Sequence, residues 1–244
     1  MLKVSDLHAQ WRALPTGTLE EVAGSGTCLV LAPHPDDESL GCGGLIAACC
    51  AAGRPPVVAI LTDGSGSHPG SRAYPPARLA AVRKAEVTAA VGHLGMPVER
   101  LVFLGARDTK APRNGAAFDR ITRHLAAWLM AFDCSTIFVP WRHDPHADHE
   151  AAALIGAAAA RFTNVRLLAY PVWGWTLLPD GTVPDHQVGG WRLEIQVHMP
   201  VKRLAIAAHA SQYGGLIDDD PAGFQLPVDL LSIFDEPWET FLQP

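Results

Sequence analysis

The chain has no run of about 18 apolar residues, the length a membrane-spanning helix needs. The Ala-rich stretch from Ala151 to Ala160 is too short, and alanine is a helix former. Met1 to Arg12 carries Lys3, Asp6, His8 and Arg12 and no apolar core of the secretory type. Cytoplasmic residence is the expectation that follows. Basic runs are also missing. With 19 Lys and Arg against 25 Asp and Glu the net charge is −6, so a nucleic-acid partner is not expected. There are five cysteines and no CxxC pair, which argues for buried, reduced thiols over a disulfide framework or a thiolate metal knot. The glycines Gly41, Gly43 and Gly44 are spaced Gly-x-Gly-Gly, not as the G-x-G-x-x-G fingerprint, which weakens a nucleotide-binding reading. No internal repeat is present.

What remains is a 244-residue chain, 48% hydrophobic, read as a single domain over 1–244 with a helical lead-in at 1–26. Apolar runs at Thr27–Ala32, Val57–Thr62, Leu101–Leu104, Thr136–Val139 and Leu167–Val172 read as strands. Helical patterns at Ser39–Ala52, Pro76–Leu94, Ala116–Phe132 and Asp148–Phe162 alternate with them. Continuous apolar strands joined by helices predict an α/β fold, a Rossmann-like three-layer sandwich with a mostly parallel sheet. Trp191–Met199 alternates apolar and polar residues and predicts an edge strand, paired with Trp173–Leu178 across the turn Pro179-Asp180-Gly181. Pro200–Ser211 predicts a last helix, and the tail beyond is expected to pack on the body. The Gly, Ser and Pro content of 64–76, directly after the second strand, predicts a loop at the rim of a site.

Two clusters carry the chemistry. His34-Pro35-Asp36-Asp37-Glu38 follows the first strand, and His143-Asp144-Pro145-His146-Ala147-Asp148-His149 follows the fourth. Both lie where strands end, and in open α/β sheets that is where sites form. His34 and Asp37 are three apart at a helix start and can point the same way. With His149 they form a His-Asp-His set with an open fourth position, the arrangement of a catalytic zinc. Asp36 is turned about one helical step from Asp37, so one carboxylate can bind metal while the other addresses the water beside it. A corner of ordinary helix caps is the plain alternative. Two such clusters after two different strands speak against it. Arg83 and Glu86, at i and i+3 on one helix, read equally well as a surface ion pair. Asp108 reads as a turn residue, His143 and Asp144 as loop or supporting residues, and Trp173 and Trp175 as hairpin aromatics or a sugar-stacking face.

The segment Ala32-Pro33-His34-Pro35-Asp36-Asp37-Glu38 resembles the PIG-L/LmbE-like family of zinc-dependent N-deacetylases, which act on N-acetylglucosaminyl conjugates. Further matching pieces are Leu61-Thr62-Asp63-Gly64, Arg83-x-x-Glu86, Leu104-Gly105-Ala106-Arg107-Asp108, Pro145-His146-Ala147-Asp148-His149, and Lys202 followed by His209-Ala210-Ser211-Gln212. They run in the family's order, with Ala147 where many members have proline. The resemblance implies one zinc ion per chain held by His34, Asp37 and His149. It implies Asp36 as general base, and His146 stabilising the oxyanion or protonating the leaving amine, a role that a cationic imidazole would suit. It implies Asp148 orienting a histidine, and Arg83 and Asp108 contacting the substrate, with His209 and Gln212 at the rim or in helix packing. The implied reaction removes an N-acetyl group from an N-acetylglucosamine-type conjugate, giving acetate and a free amine. A zinc amidase on another N-acyl conjugate, and a non-catalytic metal-stabilised carbohydrate-binding module, are the alternatives. An intact Asp36 and His146 speak against the module, since binding alone needs no base. The expected partner is a small acetylated sugar conjugate, and homo-oligomerisation is left open.

Overall fold

The computed structural model describes residues 1–184 and 189–244. In chain order it runs β1 (Leu2–Lys3), α1 (Val4–Arg12), β2 (Thr16–Gly17), α2 (Leu19–Ala23), β3 (Thr27–Ala32), α3 (Asp37–Ala51), β4 (Val57–Thr62) and α4 (Pro76–His93). It continues β5 (Leu101–Ala106), α5 (Gly115–Ala131), β6 (Cys134–Pro140), α6 (Ala147–Thr163), β7 (Arg166–Tyr170), β8 (Thr182–Val183), β9 (Gly189–Glu194), α7 (Met199–Ala207), α8 (Ala210–Tyr213), α9 (Val228–Phe234) and β10 (Trp238–Gln243). No helix among the described residues is long and apolar enough to cross a membrane.

The central sheet has the order β2-β9-β10-β7-β6-β3-β4-β5. From β7 to β5 every neighbour is parallel, while β10 is antiparallel to both β7 and β9. The alternation of side chains along each strand explains why the parallel strands are apolar throughout. Val30, Val58, Ile60 and Phe138 enter one core, under α3 and α4. Leu29, Leu31, Ala59, Ile137 and Val139 enter the other, under α5 and α6. The expected three-layer sandwich is therefore present.

Helix α3 lies close on the sheet because it can. A Cβ at Gly41 would come within 2.3 Å of the Tyr170 ring, and one at Gly44 within 2.5 Å of Ile195. Overpacking of this size forces backbone shifts. The backbone N–H groups of Gly44 and Leu45 also donate to the buried Glu239 carboxylate of β10, at 2.7 and 2.8 Å, and Lys202 of α7 pairs with it at 2.7 Å. A buried carboxylate is tolerated when its oxygens are met in this way. That one side chain ties α3, α7 and the last strand together.

Three expectations are corrected. The predicted hairpin does not form. Trp173–Thr176 is a short 3₁₀ turn, and β9 pairs with β10 and with the two-residue β2. The alternating segment therefore finds its partner in the C-terminal tail, which enters the sheet as a strand. The last helix is broken into α7 and α8 by His209 at the junction. The lead-in is two helices and two short strands, with α2 closed by a reciprocal Thr18–Glu21 capping box.

The candidate metal and catalytic site

From β3 the chain first steps to β4 and β5 on one side, then returns to β6 on the other. The crevice beyond the C-terminal ends of β3 and β6 is the topological switch point of the sheet. Both predicted clusters open into it. His34, Asp36 and Asp37 lie between β3 and α3, and His146 and His149 lie at the start of α6. A pocket of about 210 Å³ joins His34, Asp36, Asp37, Arg83, Asp108 and His146.

Asp37 Oδ2 is the focus of the candidate ligand atoms. It lies 3.1 Å from His34 Nδ1 and 3.3 Å from His149 Nε2. Donors about 2.0–2.2 Å from a tetrahedral ion lie about 3.3–3.6 Å apart, so the spacing fits a small divalent cation. His149 Nε2 is buried and makes no hydrogen bond. With the ring neutral and its Nδ1–H turned to Asp144, Nε2 would face the Asp37 carboxylate lone pair to lone pair, a clash that a cation between them relieves. His34, His146 and His149 also offer ring nitrogens within 4.8 Å of one another. The donor set is thus imidazole and carboxylate around an accessible position, which suits zinc and other divalent first-row metals.

The outer face of each ligand is fixed as well. His149 Nδ1 meets Asp144 Oδ2 at 2.8 Å. Asp144 in turn accepts the backbone N–H groups of Val172, Trp173 and Gly174. Asp144, left open as a loop residue by the sequence, therefore orients His149. Asp148 Oδ2 lies 3.2 Å from His34 Nε2 and accepts from Thr109 N–H, while its Oδ1 accepts from Ala111 N–H. The histidine that Asp148 faces is His34. Carboxylates in such places set the tautomer and basicity of ligating imidazoles. Asp108 Oδ2 accepts from Gly66 N–H at 2.8 Å, and its Oδ1 lies 3.4 Å from His34 Nε2.

Electrostatics follow from this crowding. Burial alone would lower the His149 pKa, but Asp37 and then Asp144 outweigh it and raise it to about 9. His34 goes the same way, as Asp108, Asp148 and Asp37 outweigh burial. Burial opposes ionisation of Asp37, yet His149 and His34 hold it well below its ordinary value. Burial pushes Asp36 up to about 6, against the pull of Arg83. His146 is lowered, first by burial and then by His34 and His149. In the metal-free chain this direction runs against the cationic His146 that would suit the role the resemblance implies. Its Nδ1 accepts the Asp148 N–H at 3.2 Å, which leaves the proton on Nε2.

A pH dependence follows. A ligating histidine must be neutral, so if His34 and His149 hold a metal, its uptake displaces the protons that their raised pKa values favour. Apparent affinity is expected to rise with pH, about tenfold per unit for each proton released, with the His149 part of the rise ending near pH 9. Chelator competition from pH 6 to 9 measures this. A flat profile would mean that both imidazoles are already neutral.

Other predicted residues fall into place less evenly. Glu86 does not pair with Arg83. It accepts Ser211 N–H and Oγ–H at 2.7 and 2.6 Å, so the surface ion pair is absent and both residues are buried. Gln212 reaches the pocket, whereas His209 lies beneath it, 3.1 Å from Glu38. Trp173 lines the pocket edge-to-face with Phe224, while Trp175 packs on Trp11. His143 packs on Trp141. The loop at 64–76 is clasped by a second rim segment: Asp219 accepts from Ser71, Arg72 and Ala73, and Asp220 accepts from Gly70. That clasp brings Phe224 and Leu226 to the pocket, a contribution no sequence pattern signalled.

The family model for PIG-L, GlcNAc-PI de-N-acetylase, matches residues 29–160, more than half of the chain, and spans both clusters. The chain belongs to this family. A search of curated proteins returns no match. Among solved structures, the chain resembles the N,N'-diacetylchitobiose deacetylase of Pyrococcus horikoshii at 19% identity and TM-score 0.64, over 97% of this chain and 90% of that one. It resembles the conserved protein TT1542 of Thermus thermophilus at 24% and 0.64, over 90% and 94%. It also resembles the 4-carboxy-2-hydroxymuconate hydratase of Pseudomonas putida at 20% and 0.61, over 77% and 80%. At these identities the likeness is one of fold. A hydratase among the neighbours means that the chemistry has to be argued from the site.

Proposed function

We propose that the chain is a metal-dependent N-deacetylase acting on an N-acetylglucosamine-type conjugate. The observation that carries this reading is that Asp36 and His146 line one pocket with His34 and Asp37, and that the buried His149 lies against Asp37 at 3.3 Å. Membership of a de-N-acetylase family and a sugar deacetylase among the structural neighbours support it. His34, Asp37 and His149 would hold the ion, zinc by preference, which when bound supplies Lewis acidity to the acyl oxygen and an acidified water. Asp36 takes the proton of the attacking water as its oxygen bonds to the acetyl carbon. The neutral His146, protonated on Nε2, donates a hydrogen bond to the oxyanion that develops. Collapse breaks the C–N bond, the proton taken up by Asp36 passes to the departing nitrogen, and acetate and a free amine leave. Asp148 holds His34 in orientation, and Asp108 faces the sugar hydroxyls as an acceptor. Arg83 lines the same pocket, on the side of Asp36.

A related reading, an amidase for a longer or more apolar N-acyl conjugate, is favoured by the wall of Trp173, Phe224 and Leu226. One experiment separates the two. Metal-loaded protein is assayed for amine release from N-acetyl and longer N-acyl glucosamine conjugates, with bound metal measured alongside. The acetyl compounds are expected to turn over fastest. A preference for long acyl chains would select the second reading, and no amine from any compound would end both.

A further inference from the structure

We infer that Arg83 is a positioning residue that acts on the reaction through Asp36, by fixing which oxygen of that carboxylate faces the water. The inference rests on the deacetylase reading above, with Asp36 as base. Arg83 comes from the middle of α4 and is 2% exposed. Its Nη2 donates to Asp36 Oδ2 at 2.9 Å and to the carbonyl of Pro35 at 2.8 Å, and its Nη1 donates to the carbonyl of Gly64 at 3.1 Å. One guanidinium therefore grips the base, the residue before it, and the turn after β4. Nε is buried and has no partner.

The grip is built into the sequence on both sides. Gly64 has φ +65°, and a Cβ there would come within 2.7 Å of Nη1, so only glycine permits this approach. Glu86, the acid nearest Arg83 on the same helix face, is fully engaged by Ser211 and does not compete. Asp36 itself is strained, with φ 157° and ψ −30°. Its N–H is held by Glu38 Oε2 at 3.0 Å, and Glu38 is met in turn by Ser39 and His209. The backbone of the base is thus fixed from one side and its Oδ2 from the other. Among the described residues nothing donates to Oδ1. With Oδ2 committed, the water's O–H bond breaks toward Oδ1 while its oxygen bonds to the acyl carbon. A planar guanidinium sets such an orientation, and an ammonium, being a point charge, does not.

The rival is a substrate grip, in which Arg83 acts on the conjugate without reference to Asp36. A double-mutant cycle separates them. Wild type, Arg83→Met, Asp36→Asn and the double variant are metal-loaded and compared for kcat, KM, bound metal and melting temperature. Loss of placement at this scale costs on the order of 10²-fold. Arg83→Met is expected to lower kcat by roughly that factor, leaving KM within about threefold and bound metal unchanged. In the Asp36→Asn background the same change is expected to cost less than about threefold, because the base through which it acts is gone. Arg83→Lys, which restores charge but cannot span Pro35 and Gly64, is expected to recover only part of the rate; it replaces Arg83→Met in the cycle if that variant does not fold. Losses that multiply in the double variant, or a raised KM with kcat unchanged, overturn the inference in favour of the substrate grip. Loss of metal or of melting temperature in step with rate overturns it in favour of a structural role. No amine from wild type would instead remove the reading on which it rests.

Discussion

Asp36→Asn is expected to lower turnover by roughly 10²–10⁴-fold while the protein keeps its fold and its metal. Asparagine accepts the Arg83 hydrogen bond through its amide oxygen but cannot take a proton. It also suits the backbone. Position 36 has the unusual backbone φ 157° and ψ −30°, which the isosteric asparagine leaves undisturbed because it keeps the side chain's shape. Alanine would mix loss of the base with a local backbone change, so asparagine is the cleaner test. Asp37, one residue on, stays between His34 and His149, which is why metal should be retained. The loss should fall on kcat, because the proton transfer belongs to the transition state and not to binding. A near-wild-type rate in Asp36→Asn would move the base elsewhere in the pocket, with Asp108 tested next.

The parts of this molecule that were legible in its sequence are those encoded locally. Strands β3 to β7 are short apolar runs because both of their faces are covered, and the helices between them are the crossovers that such strands require. The His34–Glu38 cluster could be read because the candidate ligands and base sit within five residues at a strand-to-helix corner. What could not be read depends on partners far away in the chain. β10 looked like tail because Glu239 stands in its middle. Only the N–H groups of Gly44 and Leu45 and the ammonium of Lys202, nearly 200 and nearly 40 residues away, make that carboxylate a core residue. The alternation in Trp191–Met199 was genuine only over 191–194, because Gln196–His198 is a 3₁₀ turn and Met199 opens α7, and periodicity names a face and not a partner. Arg83 and Glu86 had helical spacing for a pair, yet each found a buried partner on another element, which spacing along one helix cannot express. The cationic His146 failed for a similar reason. The ring is buried, which opposes its charge, and His34 and His149 beside it add to that when they hold protons.

His149→Ala should abolish metal binding and activity together, leaving a folded protein. His149 is fully buried, and its Nε2 is the one ligand atom with no protein hydrogen bond to fall back on. Removing a supporting partner of a ligand typically costs about 10–100-fold in metal affinity, and removing the ligand itself should cost more. The fold should survive because the groups left behind keep their partners. Asp144 retains the N–H groups of Val172, Trp173 and Gly174. Asp37 retains the backbone N–H of His34 and its ring. The remaining cost depends on pH in a fixed direction. In the metal-free folded chain the His149 pKa is raised to about 9, so its contribution is complete below the ordinary value of 6.5 and lost as pH rises through 9. Metal-free His149→Ala should therefore melt lowest relative to metal-free wild type in mild acid, with the gap closing in alkali. Elemental analysis and melting curves at pH 6 and 9 test both halves. Full metal occupancy in the variant would take His149 out of the ligand set and leave His34 and His146 to hold the ion with Asp37.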